Sequence, residues 1–471
     1  MTTPGARLDK VILVGLLAAG VFTALAHGAV EFWAVSVFEL IIGCLVLLWG
    51  IRLFVGRSVS IRIPRMILPV LALLALGLLQ SIAIQSTAGR QLSLSMDVEA
   101  TRSAVGVFVA LVASFAIAAN FVARREHLRG LATFLIIYGL VLALFALIQH
   151  ITWNGRLYWL RPLTSGAVSP FGPFVNRNHF AGYMEMLIPI PIALLITGGA
   201  RTDLRFLYVF AATMMAVAVV ASLSRGGIIS LAAELVFLAA LSAKRTARLT
   251  GGRLSFLLRP MALVPLVAAA IGAGVFWIGA EPVVNRVINS SGLSGETSPK
   301  QTFFASRGWI WRDTVAMVEA NPVIGVGFGA YETAYPIYSE DDGTATLGQT
   351  LVVDRAHNDY LQVLADCGIV GFGIAVWFIL TVFRSTWRGS KSRDSLSAGL
   401  ALGCGAGIFG LLVHSLFDFN LQLPSNAWLF LLLAAVVSQA AERRRSGRIR
   451  TEVVEVAAPV EAVVVTTGEY R

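Results

Sequence analysis

Apolar runs long enough to cross a bilayer recur along nearly the whole chain, with polar segments between them. A helix needs roughly 17 to 25 apolar residues to cross the hydrocarbon core of a membrane. The pattern predicts an all-α integral membrane protein with about twelve transmembrane helices. The predicted spans are 11–27, 32–51, 66–85, 104–122, 130–150, 179–199, 206–222, 226–242, 260–280, 360–383, 396–415 and 425–441.

The composition supports this reading and explains the net charge. Of the 471 residues, 56% are hydrophobic and 14% are charged, which lies outside the range of ordinary soluble domains. Short cytoplasmic loops accumulate Lys and Arg, and the basic connections share one side if the spans alternate. Both termini fall on that side. The net charge of +10 therefore reflects topology, and no nucleic-acid partner is expected.

The lengths of the connections divide the chain into segments. Most predicted outer connections are short, whereas loops longer than about 12 to 15 residues are usually functional or disordered. We predict N-terminal transmembrane helices, beginning with a retained first helix, then transmembrane helices that carry polar motifs, a long and partly helical outer loop, C-terminal transmembrane helices and a flexible cytoplasmic tail. These segments are 1–170, 171–280, 281–358, 359–446 and 447–471.

Within the long loop, "SRGWIWRDTVAMVEANP" has helical periodicity and stops at Asn321-Pro322. It predicts an amphipathic helix that lies on the membrane face. Arg307 and Arg312 stand on this helix, near one face but not stacked. Guanidinium groups bind phosphate in a planar, bidentate way, so either arginine could bind a diphosphate. The alternative is a solvated helix face.

Two polar motifs lie at the outer ends of predicted spans. "FGPFVNRNHFAGYMEM" contains Asn176, Arg177, Asn178 and His179, which form a polar collar or a simple helix cap in which Asn178 satisfies the first amide groups. "ASLSRGGIIS" places Arg225 at a sharp turn with two glycines. An arginine at this depth is a functional candidate for binding an anion, although it could also extend to the interface.

His357 lies at the end of the long loop, where the next span begins. Its neutral imidazole can accept a proton near pH 7, so it is the natural general base among the outer-face residues. Arg355, Asn358 and Asp359 are close enough in sequence to orient it or tune its pKa. A lone histidine can also be structural, and the sequence leaves that alternative open.

Three further motifs carry less specific signals. His414 and Asp418 stand one helical turn apart, either as a helix-end pair or lining the same cavity. "GVGFGAY" imitates a dinucleotide fingerprint but follows a Pro-terminated helix rather than a strand, so it predicts a turn. "SEDDG", from Ser339, has adjacent carboxylates without further spaced ligands and predicts a solvated loop rather than a metal site.

Together, "FVNRNHFAGYMEMLIP", "SLSRGG", "SRGWIWRDTVAMVEANPVIGVGFGAY" and "AHNDYLQVLADCGIVG" resemble the O-antigen ligase and polysaccharide polymerase superfamily over about residues 170 to 420. The resemblance implies a GT-C-like enzyme of the bacterial inner membrane that moves a glycan from undecaprenyl diphosphate to an acceptor on the periplasmic face. It implies neither a metal nor any other cofactor. The acceptor is lipid A core in the ligases and another carrier-linked glycan in the polymerases.

The same resemblance implies roles for individual residues. Arg225 matches an arginine that engages the diphosphate, His357 matches the proposed base, and Arg307 or Arg312 matches the loop arginine. The collar would then be an entry for the donor, with His179 in an orienting or acceptor-side role. Ligase, polymerase, lipid-linked glycan transporter and membrane scaffold remain the alternatives, and membrane lipids are expected partners in each.

Overall fold

The computed structural model describes residues 4–55, 61–85, 91–162, 169–250, 305–339 and 353–443. The expected span at 260–280, the acidic residues after Ser339 and the C-terminal tail lie outside these residues. The described helices are α1 (Pro4–Leu25), α2 (Phe32–Val55), α3 (Ile67–Gln80), α4 (Val98–Phe121), α5 (Arg125–Ile151), α6 (Arg177–Glu185), α7 (Pro189–Thr197), α8 (Arg205–Ala221), α9 (Arg225–Thr250), α10 (Ala305–Ala320), α11 (Tyr331–Tyr338), α12 (Asp359–Ser390), α13 (Ser395–His414) and α14 (Pro424–Arg443).

The predicted all-α membrane architecture is confirmed. Ten helices among the described residues are long and apolar enough to cross a membrane, with α6 and α7 acting together as one span. The only regular strands in those residues are short ribbons, β1 (Ala83–Gln85) with β2 (Gln91–Ser93) and β3 (Arg156–Leu157) with β4 (Arg161–Pro162). The described residues therefore form a helical bundle, and their irregular structure lies in the connections between the helices.

The expected span at 66–85 is wrong in its length. Helix α3 ends at Gln80 and is about 21 Å long at about 1.5 Å per residue, short of the roughly 30 Å of a hydrocarbon core. The Gln80 side chain donates hydrogen bonds to the backbone oxygens of Ile324 and Asp366, at 2.6 and 3.1 Å. The chain then turns into β1, so the apolar residues after Gln80 do not continue the helix.

Side-chain caps fix where several helices begin. Asp97 accepts from the Ala100 amide at the start of α4, and Asp394 accepts from the Ser397 amide at the start of α13. Asn176 and Asn358 cap α6 and α12 in the same way. These oxygens satisfy amide groups that have no partner within the helix, which holds each helix start in place.

The centre of the bundle is formed by α7, α13 and α14. Glycines on α13 allow close backbone contact, because a Cβ atom at Gly403 would lie 2.7 Å from the Ile190 Cα and one at Gly407 would lie 2.5 Å from the Met186 carbonyl oxygen. Small residues at such interfaces let membrane helices pack through dispersion contacts without an intervening side chain. Helix α13 is therefore held at a fixed height relative to α6 and α7, which fixes the position of His414 at its end.

Helices α10 and α11, which are not among the candidate membrane spans, pack on the first half of α12. The helix predicted in this segment is present as α10, and its buried side carries the uncharged residues Ile310, Thr314 and Met317. Asp313 is the exception on this side, because its buried carboxylate accepts a hydrogen bond of 2.8 Å from the Tyr335 hydroxyl. How α10 lies relative to a bilayer stays a prediction.

The "GVGFGAY" segment is a turn, as expected, and it docks on a break in α12. Gly368 has φ of 61° inside that helix, and the freed backbone groups pair with residues 322–327. The Val326 amide donates to the Ala365 carbonyl at 2.8 Å, and the Ile369 amide donates to the Pro322 carbonyl at 2.8 Å. A Cβ atom at Gly325 would lie 2.4 Å from the Ala365 oxygen, so the close approach requires glycine there.

Candidate active site around Asp418

A buried carboxylate connects the polar residues at one end of the bundle. Asp418 has no solvent exposure and lies in the connection between α13 and α14. Its Oδ1 atom is 3.2 Å from His357 Nδ1 and 3.9 Å from His179 Nε2, and its Oδ2 atom is 3.6 Å from an Arg307 Nη atom. Asn178 donates a hydrogen bond from Nδ2 to Oδ2. We call His357, Asp418, Arg307, Asn178 and His179 the Asp418 cluster.

The position of Asp418 follows from how α13 ends. The Phe417 and Asp418 amides donate to the His414 carbonyl at 2.8 and 3.1 Å, which closes a turn at the end of the helix. The Phe419 amide then donates to Asp418 Oδ1 at 3.0 Å. A 3-10 turn over Asn420–Gln422 leads to Pro424, where α14 begins. The backbone hydrogen bonds of this connection therefore fix the position of the Asp418 carboxylate, independently of its contacts with other elements.

His357 is fixed by contacts on both sides and has a strained backbone. The Ala356 amide donates to Gln362 Oε1 at 2.8 Å, and Trp311 Nε1 donates to the Ala356 carbonyl at 3.0 Å. On the other side, Asn358 caps α12 through its own side chain. His357 itself has φ of 50°, a left-handed conformation that costs a residue with a Cβ atom about 1 kcal/mol or more. Such outliers cluster at functional sites.

The charges around Asp418 determine which nitrogen of His357 is available. Burial alone would raise the pKa of the Asp418 carboxyl, but the hydrogen bond from His357 and the charges of His179 and Arg307 outweigh it and place the pKa well below its usual range. The carboxylate is thus ionised and can only accept, so His357 Nδ1 donates to it. The Nε2 atom then carries the lone pair that can accept a proton.

Arg307 supplies a positive charge that is mostly removed from solvent. Burial lowers the pKa of its guanidinium, and the attraction to Asp418 opposes that shift. Arginine nevertheless stays protonated in proteins because its reference pKa is so high. Its side chain is 14% exposed, so a charge close to His357 is held in a poorly hydrated environment. Such a charge interacts more strongly with an anion than a fully solvated one does.

The polar collar on α6 divides into residues with different contacts. Asn176, not Asn178, caps the helix by accepting from the Asn178 amide at 2.9 Å, so the expected cap was assigned to the wrong residue. The Asn178 side chain points to Asp418 instead.

His179 packs edge-on against the Phe419 ring at 4.7 Å, and His357 does so at 4.9 Å. Among the described residues, the buried Nε2 of His179 makes no hydrogen bond. Arg177 is the first residue of α6 and is partly buried.

The two glycines after Arg225 allow the start of α9 to pack closely against α6 and the end of α13. Arg225 begins α9, as the sharp turn in the sequence predicts. A Cβ atom at Gly226 would lie 2.7 Å from the His414 ring, and one at Gly227 would lie 2.7 Å from the Ala181 Cβ. The Arg225 turn is therefore packed between α6 and the end of α13. Helices α6, α9, α12 and α13 all bring a polar terminus to this end of the bundle.

Comparison with known proteins gives two sequence similarities. Residues 210–376 match the family described as "Wzy_C: O-Antigen ligase". Over these residues the chain is similar to the O-antigen ligase and polysaccharide polymerase superfamily. It is also 21% identical over 151 residues to "Exopolysaccharide production protein ExoQ" of Rhizobium meliloti (strain 1021). That alignment covers 31% of this chain and 33% of the relative, so the chain spans about a third of that protein's length. This match and the ten apolar helices among the described residues support a multipass membrane protein of this type.

The O-antigen ligase match contains only part of the site. Arg225, Arg307 and His357 lie within residues 210–376, whereas Asn178 and Asp418 lie outside them. The fold joins the two sets, because α6 and the connection after α13 bring polar side chains to the start of α12. The site is thus larger than the matched region, and part of it comes from segments on both sides of that region.

The structure separates the two arginines that the sequence left equivalent. Arg307 lies beside Asp418, whereas the Arg312 guanidinium pairs with Asp313 at 2.9 Å and its side chain is 52% exposed. The neighbours expected to orient His357 also contact other groups. Arg355 donates to the Asp354 carbonyl, and Asp359 accepts from Ser415 Oγ at 2.7 Å. Asp418, far away in sequence, makes the contact with His357.

Glu185 is a further buried group in the region that the sequence analysis missed. His414 Nδ1 lies 3.1 Å from Glu185 Oε1, and both side chains are almost fully buried. His414 and Asp418 therefore have different partners, Glu185 and His357 respectively. A carboxylate inside the predicted span at 179–199 was the available signal, because ionisable groups in membrane segments are costly and are usually paired. Among the described residues, no cluster of three or more His, Cys, Asp or Glu residues could hold a metal ion.

Proposed function

We propose that this enzyme transfers a glycan from an undecaprenyl diphosphate carrier to an acceptor hydroxyl at the periplasmic face of the bacterial inner membrane. In this proposal the acceptor is the lipid A core oligosaccharide, as in an O-antigen ligase, and both termini of the chain are cytoplasmic. The reaction is an inverting single displacement that uses no metal. The family match supports the reaction class, and the geometry of the Asp418 cluster supports the roles of the residues.

The observation that carries the proposal is the contact between His357 and Asp418, with Arg307 beside it. An imidazole whose Nδ1 donates to a buried carboxylate presents Nε2 as a general base, and the carboxylate stabilises the imidazolium that forms. The same carboxylate lies next to a guanidinium that can face a phosphate. A base and a phosphate-binding cation within one cluster are what glycan transfer from a diphosphate carrier requires.

The reaction can be written with these groups alone. The acceptor hydroxyl gives its proton to His357 Nε2 while its oxygen forms a bond to the anomeric carbon of the donor. The bond from that carbon to the diphosphate oxygen breaks, and the electron pair leaves with the diphosphate. Arg307 and Arg225 stabilise the negative charge that develops on the leaving group. His179, whose Nε2 atom faces the cluster, would orient the acceptor, and Arg177 with Asn176 would contact the donor at its entry.

A second candidate is a polymerase for an exopolysaccharide or O-antigen repeat, in which another carrier-linked glycan is the acceptor. The relative from Rhizobium meliloti favours it, because its name refers to exopolysaccharide production. A disruption strain separates the two functions. Loss of a ligase leaves polymer on its lipid carrier, whereas loss of a polymerase leaves single repeat units on the carrier.

The direct test uses purified full-length protein with a carrier-linked glycan and a panel of acceptors. We expect wild type to transfer the glycan and His357→Ala to lose transfer by about 100-fold or more while it still binds the carrier lipid. His150→Ala is the matched control, because this exposed histidine at the end of α5 lies outside the Asp418 cluster. Full activity of His357→Ala would contradict the catalytic role. Carrier movement across the membrane without transfer would favour a transporter, and neither activity would favour a scaffold.

A further inference from the structure

A basic cleft lies between the far ends of α9 and α12, outside the Asp418 cluster. Its cavity volume is about 20 Å³. Its lining residues are Leu241, Lys244, Arg245 and Arg248 from α9, with Trp387, Ser390 and Lys391 from the end of α12. Four of these seven residues are cationic, and none is acidic.

The cleft lies about one membrane thickness from the candidate active site. Arg225 begins α9 next to the Asp418 cluster, and Lys244 follows about 28 Å further along that helix at about 1.5 Å per residue. Helix α12 also runs from the cluster, where Asp359 follows His357, to the cleft at Ser390. Since a hydrocarbon core is roughly 30 Å thick, the cleft lies at the opposite membrane interface. The distribution of Lys and Arg in the connections predicts that this interface is the cytoplasmic one.

Arg245 holds the two sides of the cleft together. Its guanidinium donates to the backbone oxygens of Ser390 and Ser392, at 2.6 and 2.7 Å. These carbonyls are neutral, so the positive charge of Arg245 remains at the cleft without a carboxylate in the lining. Asp394 is the acidic residue next in sequence, and its carboxylate already pairs with Arg125 at 2.8 Å and caps α13. The described residues that line the cleft therefore carry an excess of positive charge.

The other three cations of the cleft lie around the ring of Trp387. Lys391 Nζ lies 4.3 Å from the ring centre, Arg248 Cζ lies 5.6 Å from it, and Lys244 Nζ lies 6.0 Å from it. Cations at these distances from an indole face are attracted to it, which keeps like charges together around the cleft. Tryptophan is also enriched at the level of lipid headgroups, where its ring meets both water and acyl chains. Trp387 is 37% exposed, as such a position requires.

We propose that this cleft binds the headgroup phosphate of an anionic phospholipid from the leaflet opposite the active site. The cations match the charge of a phosphodiester, and basic pockets between membrane helices are suited to anionic headgroups. Leu241 and the Trp387 ring provide an apolar edge for the glycerol and the first acyl carbons. A soluble anion would bind to the cations but would not contact this apolar edge. The proposal does not depend on the glycan-transfer function.

The experiment measures binding of short-chain phosphatidylglycerol to the purified full-length protein in a neutral detergent, by titration followed in native mass spectrometry. Phosphatidylcholine of the same chain length and inorganic phosphate are titrated in parallel. We expect phosphatidylglycerol to bind about tenfold or more tightly than either. In Lys244→Gln/Lys391→Gln that preference falls by about tenfold, because two charges are removed. Lys244→Arg/Lys391→Arg retains the charge and is expected to bind like wild type.

Arg393→Gln is the matched control for loss of charge at this end of the bundle, because Arg393 is exposed and does not line the cleft. It is expected to leave the preference for phosphatidylglycerol unchanged. Equal binding of the two phospholipids would overturn the proposal, as would an equal loss in Arg393→Gln and in the double variant. Inorganic phosphate binding as tightly as the lipid would show a site for a free anion and would also overturn it.

Discussion

His357 Nδ1 lies 3.2 Å from Oδ1 of Asp418, a carboxylate that is fully buried and 61 residues away in sequence. The contact sets the tautomer of the imidazole and places a negative charge where the imidazolium would form. Asp418→Asn keeps the size of the side chain but removes that charge. We expect glycan transfer to fall by about 10²- to 10⁴-fold, with donor binding much less affected. Initial rates with a carrier-linked glycan measure it.

The control for this substitution is Asp354→Asn, because Asp354 is exposed and close to His357 in sequence. It changes the net charge by the same amount and is expected to retain wild-type rates. If Asp418→Asn also retained them, the contact with His357 would be structural.

The pH dependence of stability tests whether the Asp418 carboxylate is ionised in the folded protein. The folded pKa of Asp418 is lowered below its unfolded value of about 3.9, so its contribution to stability is present above that value and is lost as pH falls towards the folded pKa. Asp418→Asn lacks the contribution at every pH. We expect the gap between the thermal unfolding midpoints of wild type and Asp418→Asn to persist between about pH 8 and 5 and to narrow only below about pH 4. Thermal unfolding in detergent micelles at a series of pH values measures the gap. A gap that already closes above pH 5 would show that Asp418 is not ionised there.

A substitution at Gly226 tests whether glycan transfer requires the close packing around the turn at Arg225. A Cβ atom in Gly226→Ala would lie 2.7 Å from the His414 ring, so either the turn or the ring must move. We expect transfer to fall by about 10- to 100-fold, because small displacements of positioned groups are costly in rate. Gly308→Ala is the control, next to Arg307 on α10, where an added Cβ has no neighbour within 4 Å. There we expect unchanged transfer and a gain in stability of about 0.5 to 1 kcal/mol. Equal rates in the two variants would exclude a requirement for this packing.

The two arginines of α10 should differ in their effect on activity. Arg307→Gln removes the buried cation beside Asp418, and we expect transfer to fall by about 10²- to 10³-fold. Arg312→Gln removes a half-exposed partner of Asp313, and we expect a change of less than about threefold. Parallel rate measurements on the two variants give the comparison, with folding checked by gel filtration. A larger loss in Arg312→Gln would reassign the phosphate-binding role.

The spans could be predicted from the sequence because the length and composition of a membrane helix are tightly constrained. The exception, α3, shows the limit of that signal. "SIAI" after Gln80 is apolar enough to extend a helix, but the Gln80 amide binds backbone oxygens of Ile324 and Asp366, which lie far away in sequence. A hydrophobic pattern does not contain such a contact. The chain leaves the helix for a reason that only the tertiary structure supplies.

The candidate site was predictable in its residue types and less so in its partners. His357 was predicted by position and chemistry, and Arg307 was one of two equivalent candidates with Arg312, whereas Asp418 was left as a neighbour of His414. The helical spacing of that pair suggested a helix-end pair or a shared cavity, but α13 ends at His414 and the two side chains contact different partners. Asn176 and Asn178 exchanged roles for a similar reason. Local sequence does not determine which of two nearby polar residues caps a helix and which reaches another element.

The backbone pairing between residues 322–327 and the break in α12 has a practical consequence for engineering. The segment that carries Arg307 and the helix that begins after His357 share hydrogen bonds through main-chain atoms, so neither can be exchanged alone without leaving unmatched amides and carbonyls. A chimera that imports an outer segment from a relative should therefore also import residues 365–370. Recombination boundaries set by the ends of the loop would cut through a single structural unit.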